Sequence, residues 1–454
     1  MRNVLFIARE FPPQAGVGVV RSAKFAKYLP EFGYRPIVLT GVDALRGIQE
    51  DRSLLSGLED TTIVRCAERG RRAYKALGRM KLNRLLSFCV RPDLQRVTWV
   101  PGAEQAAVRI AAEHRLDLIY TSAPPYSSVL LGSRLRRRLG LPWLADYRDP
   151  WTNEWNCVWP TRLHHWWETC QERRALARAD RITIATPTMA ELLLRRYPEF
   201  AGKVDVIPNG FDREDIDAVL SAGAVSPWPE LPPECLRIGY AGTLADYGDQ
   251  PFASRSPLTR LAGSLLGYRC GEADRTTGSP YYLLKALRRL LDESPELQGR
   301  VHVAFAGVFG PRNTAMVDEL GLRRQVSILG WLPNHEGLRL LADSDVLFLP
   351  ALFLSRSHRG YIQNAKAFEY LALGKPILAT VPPGDLHDLI ERSHAGWCAD
   401  PYETSALTGL LRQMVGLRAR GELICDADRE YIAQFHRREL TRRLASYFDR
   451  LMES

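Results

Sequence analysis

Short apolar runs recur along this chain at intervals, and most are separated by stretches with helical spacing. Residues 4–8 (Val-Leu-Phe-Ile-Ala) form the first run, and 21–32 follow with Phe25, Leu29 and Phe32 at helical positions. Strands are expected at 36–40, 116–121, 143–147, 181–185 and 204–207, with helices near 104–113 and over 127–139. Strands that alternate with helices imply a parallel, doubly wound sheet of the α/β class. The pattern breaks at Pro208-Asn209-Gly210-Phe211-Asp212 and an Ala-, Pro- and Ser-rich stretch to Pro233. It resumes with strands expected at 236–242, 301–306, 326–329, 346–349 and 377–380. The expected plan is therefore a domain over 1–212, a linker over 213–235 and a second domain over 236–428. A helix over 429–454 closes the chain. Residues 246–279, rich in Gly, Ser, Arg and Pro, read as an insertion, since a loop of that length in a compact domain is functional or disordered.

Composition narrows the partners. The 454 residues carry a net charge of +9, which favours anionic ligands: nucleotides, phospholipid head groups or nucleic acid. No nucleic-acid recognition motif accompanies the charge, so no nucleic-acid partner is expected. Eight cysteines without a CxxC pair read as reduced thiols. The first apolar run is too short for a signal peptide and is broken by Arg9 and Glu10. No apolar run reaches the 18 or so residues a membrane span needs. A cytoplasmic location is expected, with an anionic membrane surface as a partner through 65–96. There ten Lys and Arg stand against Glu68 and Asp93, interleaved with Tyr74, Leu77, Met80 and Leu82. An ordinary basic surface helix explains that stretch equally well.

Four places carry chemistry. After the first strand, Gly16 and Gly18 form a turn whose N–H groups can approach a phosphate, or a turn that merely needs glycine. Arg21 stands where a dinucleotide fingerprint needs its third glycine, which counts against a nicotinamide cofactor. Asp146-Tyr147-Arg148-Asp149-Pro150-Trp151 lies at a strand's C-terminal end, where doubly wound sheets bind ligands. Asp149 can orient an acceptor hydroxyl or a donor sugar and Arg148 can neutralise phosphate. An Asp–Arg pair capping the next helix is the plainer reading. Gly242 and Thr243 form a similar turn in the second half. Finally, Lys366 and Glu369 sit three residues apart at the start of a short helix that runs into Gly374-Lys375-Pro376. A lysine at a helix N-terminus suits a diphosphate, and a carboxylate one turn on suits a ribose diol. A solvated i,i+3 pair is the alternative.

Taken together, these residues resemble the retaining GT-B glycosyltransferases of family 4 over nearly the whole chain. The carriers are Phe11-Pro12-Pro13 with Gly16 and Gly18, then Ile207-Pro208-Asn209-Gly210-Phe211-Asp212. The turn at Gly242 and the stretches 326–332 and 342–346 follow. The most specific block runs from Lys366 to Pro376, with Ala395-Gly396 beyond. The Asp146–Trp151 segment resembles a subgroup that acts in surface-polysaccharide assembly. The resemblance implies two Rossmann-like domains facing a cleft, with the last helix crossing back to the first. It implies sugar transfer from a nucleotide-diphosphate sugar, UDP-sugar favoured, to a hydroxyl of a glycan, lipid-linked or small-molecule acceptor. Donor-side residues would be Gly16, Gly18, Gly242, Thr243, Asn364, Lys366 and Glu369. Asp149 and Arg148 would be catalytic, and neither metal nor other cofactor is implied. Two departures stand out. Tyr361 occupies the place of the first Glu in the family's Glu-x7-Glu pattern, and the turn after Gly242 lacks the family's cations. A catalytically silent nucleotide-sugar-binding relative is therefore one alternative reading. A Rossmann-type oxidoreductase or epimerase is another, weakened by Arg21.

Overall fold

The computed structural model describes residues 1–42, 50–68, 90–153, 157, 159–221, 225–248, 273–354, 359–362 and 364–453. These form two units, one built from 1–209 and 437–453, the other from 210–248 and 273–436.

The first unit runs β1 (Arg2–Ala8), α1 (Val17–Tyr28), β2 (Tyr34–Gly41), β3 (Thr62–Cys66), α2 (Val100–Glu113) and β4 (Leu118–Ala123). It continues with α3 (Ser127–Leu139), β5 (Trp143–Tyr147), α4 (Arg162–Arg178), β6 (Arg181–Ile184), α5 (Pro187–Arg196) and β7 (Val204–Val206). Among the described residues its strands pair in the order β3-β2-β1-β4-β5-β6-β7, all parallel. Val4 to Ile7 and the whole of β4 and β5 are buried, as strands covered on both faces by helices require.

The second unit runs α6 (Arg213–Ser221), β8 (Leu236–Thr243), α7 (Tyr281–Glu293), β9 (Val301–Val308), α8 (Pro311–Glu319), β10 (Val326–Gly330) and α9 (Asn334–Ala342). Then come β11 (Val346–Pro350), α10 (Ala365–Leu373), β12 (Ile377–Thr380), α11 (Asp385–Arg392), β13 (Gly396–Ala399), α12 (Thr404–Ala419) and α13 (Arg429–Ala433). Its described strands pair in the order β10-β9-β8-β11-β12-β13, again parallel. Leu283, Leu284, Leu287, Leu290 and Leu291 give α7 one apolar face, which packs with Leu407, Leu411 and Met414 of α12 into the core. Both units are thus Rossmann-like, doubly wound and of the α/β class. In each, the strand order reverses beside the first strand, between β1 and β4 and between β8 and β11.

The last helix, α14 (Arg437–Glu453), belongs to the first unit. Phe448 meets Tyr34 at 5.1 Å and Tyr120 at 6.2 Å between ring centroids, and Leu440, Leu444 and Leu451 join the same core. The expected helix over 429–454 is therefore two helices, with α13 in the second unit and α14 in the first. The expected linker 213–235 is also corrected. It contains α6, and Trp228 is buried with its indole N–H donating to the Leu340 carbonyl at 2.9 Å. An amphipathic helix with Ile216 on its buried face needs a core, and finds one in the second unit. Most of the insertion expected at 246–279 and most of the basic stretch 65–96 lie outside the described residues. At the described ends of the basic stretch the arginines serve internal pairs. Arg65 donates to the Pro12 carbonyl, the half-buried Arg91 pairs with the buried Glu168, and Arg96 donates to the Arg91 carbonyl and to Gln171.

Candidate functional site

In the second unit the reversal point is built from glycine. Gly242 is the penultimate residue of β8, at φ +140°, and a Cβ there would fall 2.2 Å from Lys366 Cε and 2.3 Å from Nζ. Gly307 pairs with it from β9 at φ +107°, and its Cβ would meet the Gly242 carbonyl oxygen at 2.2 Å. Two adjacent strand ends thus lack side chains, and the Lys366 ammonium lies against one of them. The sequence reading missed Gly307, although a glycine closing an apolar run marks it as it marks Gly242.

Lys366 reaches this place from the first turn of α10, the helix joining β11 to β12. Its ammonium stands 5.8 Å from the Tyr240 ring centroid, and among the described residues no hydrogen bond or ion pair holds it. Burial lowers its pKa below the ordinary lysine value, and the charge of Glu369, on the same half-buried face, opposes that shift. Asn364 is the N-cap residue of α10, but its side chain donates to the Pro350 carbonyl at 3.3 Å instead of capping the helix. The positive end of α10 and an ammonium therefore converge on one glycine-lined strand end, which is the composition of an anion site. Thr243 is exposed, and its carbonyl accepts from the Tyr240 hydroxyl at 2.8 Å. The turn continues into Asp246, whose carboxylate accepts from the Asn313 N–H at 2.9 Å and so caps α8. Tyr361 is buried.

The first unit has a different arrangement. Gly16 precedes α1 at φ +143° with only Val19 Cγ2 within 4 Å of a notional Cβ, so its backbone conformation, not crowding, calls for glycine. A Cβ on Gly18 would lie 1.1 Å from Arg148 Nη1. Arg148 is held there by bonds to the carbonyls of Ala123 and Pro124, at the end of β4. Gly18 therefore makes room for a guanidinium. Asp149 beside it is exposed. Burial by the surrounding protein raises its carboxyl above the ordinary carboxylate value, and the charge of Arg148 opposes that shift.

Asp146 is engaged by internal partners. It is fully buried and receives Arg21 through two donors at 2.8 and 3.1 Å, Tyr120 at 2.9 Å and Thr183 at 2.8 Å. Burial alone would raise its pKa, but Arg21 and these donors bring it below the usual carboxylate value. Arg21 also donates to the carbonyls of Ile207 at 2.9 Å and Pro208 at 2.7 Å. The residue that spoils a dinucleotide fingerprint is thus a buried strut joining α1, β5 and the segment after β7.

Among the described residues, one group of metal-ligand types comes together: His387, Glu391 and Cys398, with ligand atoms within 4.8 Å of one another. Burial first, then Glu391, pushes the Cys398 thiol up to about 12.

Residues 16–210 match the model of the glycosyl transferase 4-like domain, and residues 276–416 match that of glycosyl transferases group 1. The chain is 27% identical over 149 residues to WcaL of Salmonella typhimurium, a protein named as a colanic acid biosynthesis glycosyltransferase. That match covers 32% of this chain and 36% of the other. It is 27% identical over 250 residues to D-inositol 3-phosphate glycosyltransferase of Streptomyces coelicolor, covering 53% of this chain and 49% of that one. The chain thus spans between about a third and a half of these relatives' lengths. In fold it is similar to HepE of Anabaena, solved in complex with UDP-glucose. The TM-score is 0.56 at 15% identity, over 99% of this chain and 100% of that one.

Proposed function

This chain belongs to the family 4 glycosyltransferases of GT-B fold, and from that premise we propose that it transfers a sugar from a nucleotide-diphosphate sugar to an acceptor hydroxyl. The observation that carries this reading is the Lys366 ammonium, lying against Gly242 at the open N-terminus of α10. In the proposed reaction charge develops on the leaving diphosphate. Lys366, the α10 N–H groups and the backbone at Gly242 and Thr243 are assigned to stabilise it. Glu369 is assigned to the ribose diol and Asn364 to the entrance of the helix. Gly16 and Gly18, expected on the donor side, stand in the first unit at the start of α1, where no side chain caps the helix, and no diphosphate contact is assigned to them.

We assign retention of anomeric configuration, with the acceptor hydroxyl passing its proton to a phosphate oxygen. Asp149 would position that hydroxyl and Arg148 would add positive charge. No metal or further cofactor is assigned. UDP-sugar is the favoured donor, in keeping with UDP-glucose in HepE. A glycan or lipid-linked acceptor in polysaccharide assembly is favoured, in keeping with the name of WcaL. Among the described residues no helix is long and apolar enough to cross a membrane. The proposed place of work is the cytoplasm, at the inner face of the cytoplasmic membrane.

One observation favours a second reading. Tyr361 is buried where the family pattern has its first glutamate, so a protein that binds the donor without turning it over fits that position. Radiolabelled UDP-, GDP-, ADP- and dTDP-sugars, incubated with lipid-linked acceptors, separate the two. Transfer or slow donor hydrolysis is the expected result. Donor binding with neither would favour the silent reading.

A further inference from the structure

Helix α4 presents an unusual outer face. Leu163 is 68% exposed, Trp166 60% and Trp167 38%, although large apolar groups of a soluble unit ordinarily find cover. Val97, 50% exposed, adjoins them: the guanidinium of its neighbour Arg96 lies 5.0 Å over the Trp167 ring. The rest of the outer face is cationic, with Arg162, Arg173 and Arg174 exposed. The two glutamates of α4 point the other way. Glu168 is 1% exposed against Arg91 and Trp151, and Glu172 is 2% exposed against Thr152 and Tyr197. Glu199 pairs with Arg173 on this face at 2.8 Å.

We propose that this face docks on an anionic lipid bilayer, with Leu163, Trp166 and Trp167 in the interface and the arginines among the head groups. Charge complementarity selects that occupant. Tryptophan and leucine flanked by arginine, with the helix's own acids turned inward, is the composition of an interfacial helix. The position fits as well. Because α4 follows β5, its first two turns lie at the C-terminal edge of the sheet, as do Gly16, Arg148 and Asp149. Docking there would hold that edge near an acceptor carried by lipid, an extension that rests on the proposed transferase reading.

The test uses the full chain without nucleotide sugar, sedimented with vesicles of phosphatidylglycerol and phosphatidylcholine or of phosphatidylcholine alone. Binding to the anionic vesicles is expected. It should be at least about tenfold weaker on phosphatidylcholine and for a Leu163→Ser/Trp166→Ser variant whose Tm matches the parent. Absent binding, or equal binding by the variant, would overturn the proposal. So would a dimer in light scattering that the variant dissociates, which would assign the face to a second copy. Calorimetry with UDP-, GDP-, ADP- and dTDP-sugars separates this idea from the donor assignment. Vesicle binding without nucleotide binding would sink the transferase reading alone, and the converse would sink the docking face alone.

Discussion

Gly242 and Gly307 are both intolerant of a side chain, for different reasons, and that difference is testable. At Gly307 a methyl group would strike the backbone oxygen of Gly242, which cannot swing away. At Gly242 it would strike the far end of Lys366, which can. Positive φ alone costs about 1–3 kcal/mol for a residue with a Cβ. Gly307→Ala is therefore expected to lower Tm more than Gly242→Ala, whereas Gly242→Ala is expected to weaken nucleotide-sugar binding about tenfold or more by displacing the ammonium. Thermal melts and calorimetry on the two variants decide this, and a normal affinity in Gly242→Ala would count against the site. Lys366 also sets a pH dependence. Its pKa in the free protein is depressed, so the ammonium costs stability at neutral pH, and that cost fades as pH rises through the folded value toward 10.5. An anion reverses the preference. Affinity for UDP should then fall as pH rises through a value below 10.5, and Lys366→Ala should flatten the profile.

At the scale of elements, the buried Arg21–Asp146 pair joins α1 to β5. Asp146→Asn would leave Arg21 buried without its counter-charge, a change worth about 3–5 kcal/mol. A large loss of stability in urea melts is expected, with nucleotide affinity at the second unit unchanged below the transition. In the parent the contribution of this carboxylate is present above pH 3.8 and lost as pH falls through its lowered folded value. The pairing also marks what a single sequence conveys. The largely buried strands β1, β4, β8, β9, β11 and β12 announce themselves as apolar runs. The edge strands β3 and β13 do not. Thr62–Cys66 and Gly396–Ala399 are only partly buried, so neither pattern nor run length sets them apart. Lys366, Glu369 and Gly242 stand out in the sequence because each sits near a junction of strand and helix, and the structure brings Lys366 against Gly242. Gly18 pointed to a phosphate turn, yet it makes room for Arg148, a contact 130 residues away that spacing cannot convey. Asp146 looked like part of a ligand-binding or capping group for the same reason, since its partner lies in α1.

At the scale of the molecule, the chain is two Rossmann-like units, the first completed by a helix from the far end of the sequence. Each has its reversal point beside its first strand, but the chemistry there differs. The first holds an exposed carboxylate and an arginine fixed on carbonyls. The second holds an ammonium against a glycine-lined strand end. That asymmetry is why donor binding is assigned to the second unit and acceptor positioning to the first. The most direct measurement is isothermal titration of UDP and UDP-glucose into the parent chain and into Lys366→Ala. Loss of one charge-assisted contact of about 1.5–3 kcal/mol predicts an affinity lower by about ten- to a hundredfold in the variant, at unchanged Tm. Equal affinity in the two proteins would contradict the assignment of the diphosphate to Lys366.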